Sequence, residues 1–162
     1  MSSAAPPTDP PSRLVSASRL IHAPASAIFD LLADPARHAE IDGSGTVQNQ
    51  RMAGPRRLSL HATFGMDMKM FGLPYRITNV VVEFEENRRI AWRHFGRHIW
   101  RYVLEPTGPG DNDTLVTESF DWGSSVVPRL YELVGYPSAH EVNMAKTLQR
   151  LDSVVTGEPD HR

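Results

Sequence analysis

The sequence contains no cysteine, which excludes disulfides, thiolate nucleophiles, iron–sulfur clusters and thiolate zinc sites. It lacks an excess of either charge: 17 basic residues face 19 acidic ones, for a net charge of −2. The basic stripe that binds a phosphate backbone is therefore missing, and nucleic acid is not an expected partner. No apolar run is long enough to span a bilayer, and no basic start leads into the apolar stretch of about 7–15 residues that marks a secretory leader. The expected location is cytoplasmic, with no integral membrane segment. Also missing are an internal repeat, a HExxH pair, a glycine-rich phosphate cradle and the tight glycine elbow of a serine hydrolase. No cofactor and no metal are expected.

What remains is the composition of one globular domain. The chain has 162 residues, 40% of them hydrophobic and 22% charged, enough to build a single core. Met1 to Ser12 contains four prolines and no large apolar residue after the initiator, and reads as a disordered arm. Gly157 to Arg162 is polar and contains Pro159, and reads as a flexible tail. The domain is expected over residues 13–156. Arginine far outnumbers lysine, a bias typical of GC-rich bacterial coding sequence.

Periodicity supplies the elements. Arg13 to His22 reads as a first strand with Val15, Ala17 and Ile21 on one face. Pro24 to Ala33 reads as a helix opened by proline and ended by Asp34-Pro35, and Ala36 to Ile41 as a second, shorter one. Thr46 to Ala53 reads as a weak strand. From Arg57 to Met70 the apolar residues Leu58, Leu60, Ala62, Phe64, Met66, Met68 and Met70 alternate without a break with polar or small ones, as in a long strand with one face on an apolar interior. Tyr75 to Glu86 repeats the alternation with Val80, Val82 and Phe84 inward. Arg89 to Phe95 aligns Ile90, Trp92 and His94. His98 to Glu105 aligns His98, Trp100, Tyr102 and Leu104, and Thr114 to Trp122 aligns Val116, Glu118, Phe120 and Trp122. The period then changes to 3.6. Val126, Val127, Leu130, Leu133 and Val134 mark one helix, capped by Ser124 or Ser125 and kinked or divided by Pro137. Ser138 to Thr156 forms the longest helix, with Val142, Ala145, Leu148, Leu151 and Val155 on its apolar face.

One antiparallel sheet with a single apolar face and one terminal helix with a single apolar stripe satisfy each other if the sheet curls around the helix. The expected class is α+β, a helix-grip fold: a seven-stranded curved antiparallel sheet wrapped around the C-terminal helix, with two short helices between strands 1 and 2. The element order resembles the START/Bet v 1-like (SRPBCC) superfamily, in its polyketide cyclase/dehydrase and lipid-transport branch. The strings carrying the resemblance are Ile21-His22-Ala23-Pro24 through Leu31-Leu32-Ala33-Asp34-Pro35, Arg89-Ile90-Ala91-Trp92, Trp100 to Pro106 and Thr114 to Asp121. They are sheet and helix-packing positions, so they imply the fold and transfer no catalytic residue.

The resemblance implies a pocket between sheet and helix. Its lining on the sheet would be Phe64, Met66, Met68, Met70 and Phe84, followed by Trp92, Trp100, Tyr102 and Phe120. Leu130, Met144 and Leu148 would meet these from the helical side. Adaptable thioethers and flat aromatics suit a lipid, an aromatic or a polyketide-like ligand. The same alternation also fits a filled core. Inward polar residues discriminate better, because burying them is unfavourable without partners. Glu118, on an apolar parity, is a possible proton carrier of raised pKa or half of a structural ion pair, and His94 and Tyr102 are weaker candidates for the same work. His94 and His98 should meet across a hairpin, but two imidazoles do not make a metal site. His140 reads as solvent-facing. Binding or transport of a hydrophobic small molecule is the leading expectation, with a cyclase or dehydratase using the same pocket and a protein-interaction module with a solid interior as alternatives.

Overall fold

A computed structural model describes residues 12–50, 54–94, 96–133 and 135–158. Most of the N-terminal arm, the end of the tail, and positions 51–53, 95 and 134 of the expected elements lie outside the described residues. The first strand, β1 (Leu14–Ile21), ends at the buried Ile21. Pro24 then opens helix α1 (Ala25–Leu32) from an extended conformation, and Ile28, Phe29, Leu31 and Leu32 form its buried side. Asp34 accepts a hydrogen bond from the Ala36 amide at 3.0 Å and starts a 3₁₀ turn at Pro35–Arg37, which leads into the single turn α2 (His38–Ile41). These are the two short helices expected between strands 1 and 2.

Six more strands follow: β2 (Val47–Gln50), β3 (Thr63–Met70), β4 (Leu73–Glu85), β5 (Arg89–Arg93), β6 (Ile99–Thr107) and β7 (Asp113–Asp121). They form one antiparallel sheet in the order β1-β7-β6-β5-β4-β3-β2, so the first strand closes onto the last and the rest is a meander. The sheet curves around α4 (Tyr136–Thr156), which is reached through α3 (Pro128–Leu133). This is the helix-grip architecture.

Three local departures from the alternation have physical causes. The strand expected from Arg57 begins only at Thr63, because a turn with His61 at φ 67° precedes it. Leu58 is still buried, but from a loop, and Leu60 is exposed. In β4 the register slips between Val81 and Glu83 opposite the single step from Trp92 to Ala91. That extra residue resets the parity. Asn79 and Val81 are therefore the buried positions, while Val80 and Val82, expected inward, are only half-buried. The two terminal helices are divided at Gly135, which adopts φ 70°, and Pro137 sits in the first turn of α4 instead of interrupting it.

The apolar face of α4 is rotated relative to the expected one. Met144, Thr147, Leu148 and Leu151 are buried, and Val154 and Val155 pack on the core, whereas Val142 and Ala145 are exposed. A threonine can join the buried face because its hydroxyl accepts the Gly43 amide at 2.9 Å. At that point the loop after α2 touches α4 directly. A β-carbon on Gly43 would lie 2.4 Å from the Thr147 nitrogen and 2.5 Å from the Asn143 oxygen. The contact brings the β2 side of the sheet onto the helix and closes the grip.

Candidate functional site

The concave face of the sheet is fixed by register. Ala17, Glu118 and Tyr102 are paired neighbours across β1, β7 and β6, and one step along lie Val15, Phe120, Trp100 and Trp92. Two apolar groups flank this stretch. The larger, including Phe29, Phe64, Ile90 and Leu151, joins the sheet to α1 and the end of α4. The smaller consists of Phe120, Trp122 and Met144 with Val15, Ala17 and Trp100 against it. Glu118 stands between them, 3% exposed.

The Tyr102 hydroxyl donates to Glu118 Oε1 at 2.8 Å. Glu118 Oε2 is buried and has no hydrogen-bond partner among the described residues. Burial raises the carboxyl pKa to about 8; the Tyr102 bond pulls it down, and the negative charge of Asp42 adds to the rise. Burial, and then the adjoining carboxyl, also raise the Tyr102 hydroxyl well above its ordinary value. At neutral pH the pair is therefore a neutral acid and a neutral phenol. Among the described residues Glu118 forms no ion pair; its bonded partner is a tyrosine.

Two rings on the helical side were not expected here. His38, at the start of α2, stacks on Trp92 with ring centroids 5.0 Å apart and bonds the Leu32 carbonyl oxygen through Nε2 at 2.8 Å. Burial lowers its pKa. His140, expected to face solvent, instead lies against Phe120 at 4.4 Å and Trp100 at 4.9 Å, and burial lowers its pKa to about 4. Its spacing of four from Met144 places it on the buried face of α4, and the sequence carried that information. His94 and His98 do meet across the β5–β6 connection, with ring centroids 3.7 Å apart. Burial, together with His94 and His140, lowers the pKa of His98 to about 3. Among the described residues no group of three or more His, Cys, Asp or Glu side chains is arranged to hold a metal ion.

The expected lining residues divide. Phe64, Met66, Met68, Tyr102 and Phe120 are buried on the concave side, as are Met144 and Leu148 on α4. Trp92, Trp100 and Phe84 are half-buried there, and Met70 is half-buried at the end of β3. Leu130, expected to face the interior from the helical side, is 55% exposed. The six-residue α3 that carries it also leaves Leu133 in solvent, so its apolar stripe does not enter the grip. A cleft of about 580 Å³ opens elsewhere, between the end of β1, the start of α1 and the last turns of α4. Arg19, His22, Pro24, Asp152 and Thr156 are among the residues around it, and none of the expected lining residues is. Two ion pairs lie at it, Arg19 with Asp152 at 2.7 Å and His22 with Asp113 at 3.0 Å.

The chain is 38% identical over 141 residues to the uncharacterized protein Rv0088 of Mycobacterium tuberculosis, a match covering 85% of this chain and 62% of that protein. The chain thus spans under two thirds of that relative's length. Among solved structures, protein NE0264 of Nitrosomonas europaea superposes with a TM-score of 0.71 at 16% identity, covering 93% of this chain and 98% of that one. The ginseng major latex-like protein 151 of Panax ginseng gives 0.64 at 11% identity, covering 87% and 95%. At these identities the likeness concerns the fold. The family described as polyketide cyclase / dehydrase and lipid transport matches residues 12–156, and the chain belongs to that family.

Proposed function

We propose that the protein binds a hydrophobic small molecule between the concave face of the sheet and α4, with the Glu118–Tyr102 pair as the polar contact. The observation that carries this reading is the incomplete burial of Trp92, Trp100 and Ala17, all facing inward, beside fully buried neighbours such as Phe120, Ile90 and Leu151. Large apolar rings left part-accessible on an inner face are what a ligand would cover. At about 25 cal/mol per Å², a guest hiding about 500 Å² of apolar surface gains about 12 kcal/mol before ordering costs, against the about 8 kcal/mol net that micromolar affinity needs.

Ala17 sits directly opposite Glu118 in the register, so Ala17→Phe projects a ring into the proposed space. Uptake of N-phenyl-1-naphthylamine, followed by energy transfer from the tryptophans, should fall more than tenfold in Ala17→Phe while circular dichroism is unchanged. Absence of uptake by the wild type, or equal uptake by the variant, would overturn the reading.

The neutral carboxyl favours a second reading, a cyclase or dehydratase in which Glu118 passes a proton to a folded polycarbonyl chain. Glu118→Gln keeps the shape and the Tyr102 bond but cannot transfer a proton. It should abolish turnover of such a substrate and leave its binding intact; a variant with full activity would remove this reading.

A further inference from the structure

We propose that the molecule held against α4 carries an uncharged hydrogen-bond acceptor, a ketone, aldehyde, ester or quinone-type carbonyl, which takes the proton of Glu118 Oε2 in a hydrogen bond. The inference rests on the binding reading above and specifies the chemistry of its ligand. Tyr102 is a donor to Oε1 at 2.8 Å, so in the neutral acid Oε1 is the carbonyl oxygen and the hydrogen resides on Oε2. That atom is buried with no partner among the described residues. A buried donor without an acceptor is a standing penalty, which an acceptor on a guest molecule removes. A purely apolar guest would leave the penalty in place.

An anionic head group is disfavoured by the charges around the site. From β6 the facing group is Tyr102. From the end of α2 it is Asp42, whose negative field reaches Glu118. From β1 it is the uncharged Ala17, and Arg19, two residues further along, is already bound to Asp152 at 2.7 Å. From α4 it is His140, which burial keeps neutral at pH 7. A carboxylate brought here would be desolvated beside a negative charge, with the nearby arginine already engaged. An amine would have to take the proton from Glu118 and be buried as an ion pair.

The test uses the full chain and four probes of equal chain length: decane, 2-decanone, decanoate and decylamine, each measured by displacement of N-phenyl-1-naphthylamine. For the wild type at pH 6, 2-decanone should bind about tenfold more tightly than decane or decanoate, the effect of one hydrogen bond to a buried donor. Glu118→Leu should erase that preference. Glu118→Gln, which retains an N–H donor, should keep it within about threefold. Above pH 8 the wild type should lose the preference as Glu118 ionises, and Glu118→Gln should not. Equal or tighter binding of decanoate or decylamine, or an unchanged ketone preference in Glu118→Leu, would overturn this inference and leave the hydrophobic-ligand reading standing. Failure of all four probes to displace the dye would overturn both.

Discussion

Replacing Glu118 by glutamine should stabilise the protein at neutral pH, an unusual outcome for a buried polar substitution. The carboxyl titrates near pH 8 in the fold against 4.5 for an unperturbed glutamate. Below pH 4.5 it is protonated in both the folded and the unfolded chain and has no pH-dependent effect. Between 4.5 and 8 the unfolded chain has released the proton while the folded one still holds it, so stability falls as pH rises, and it levels off above pH 8. Across that window each step of one in pH removes about 1.4 kcal/mol. At pH 7 the full interval from 4.5 is in effect, and the burden is about 3 kcal/mol, a large share of a typical domain's margin. Glutamine has the same shape, accepts the Tyr102 hydroxyl in the same way and does not titrate. Urea unfolding of the two proteins from pH 4 to 9 should give nearly equal stabilities at pH 4, with the variant ahead by about 3 kcal/mol at pH 7, or about 6–12 °C in melting temperature. A variant less stable at pH 7, or a difference that does not change with pH, would refute both the desolvated neutral acid and the reasoning built on it.

Other perturbations test other parts of the fold. Gly43→Ala should cost about 2 kcal/mol or more, because its β-carbon meets backbone of α4 that cannot yield; Gly45→Ala, where the space is open, should cost only about 1 kcal/mol of left-handed strain. Denaturant midpoints that rank the two the other way would contradict the tight closure at Gly43. Phe71 stands at φ 50° in the two-residue turn between Met70 and Leu73 and is 95% exposed, so Phe71→Asn should raise stability by about 1 kcal/mol in the same assay. A loss would mean that the ring is held by a contact. His98 is neutral in the fold down to about pH 3 and charges near 6.5 when unfolded, so its contribution is lost as pH falls through that window. His98→Leu should flatten the decline in melting temperature from pH 6.5 to 4, and an unchanged slope would assign that decline to other groups.

The strands were legible because a sheet with one buried face writes its period of two directly into the sequence, as in Phe64, Met66 and Met68. The helix-grip order followed from six such runs, the weak strand at Thr46 to Ala53 and one long helical stripe. Glu118 was legible as an anomaly, a carboxylate between Val116 and Phe120 on an apolar parity. Its partner was not, because Tyr102 meets it only through the register of β6 on β7, which no single strand encodes. The bulge in β4 was missed since Val80, Val82 and Phe84 keep an unbroken alternation in the sequence while the paired backbone slips by one residue. His38 and Asp42 act on the sheet from short elements whose position is set by the docking of Gly43 on α4, a contact between residues 104 apart. Leu130 shows the opposite failure: helical periodicity was present, but α3 is too short and too peripheral for its stripe to find a core.

The placement of the costly groups supports a bound guest more than a solid interior. Elsewhere the core is built from aliphatic and aromatic residues such as Ile21, Ile28, Phe29, Leu32 and Leu151. Around Trp92, Trp100 and Phe120, by contrast, the fold keeps Glu118, His38, His98 and His140 in neutral forms that burial imposes. The acid lowers stability above pH 4.5 and the imidazoles lower it below 6.5, so no pH removes both burdens. Selection for stability alone would replace such groups with leucine or glutamine, since apolar substitution of buried charge-capable sites is commonly neutral or favourable. They are confined to the stretch where inward-facing rings remain part-accessible. Groups that lower stability persist where they contact something other than the chain itself, and their position here supports the proposed guest between the sheet and α4.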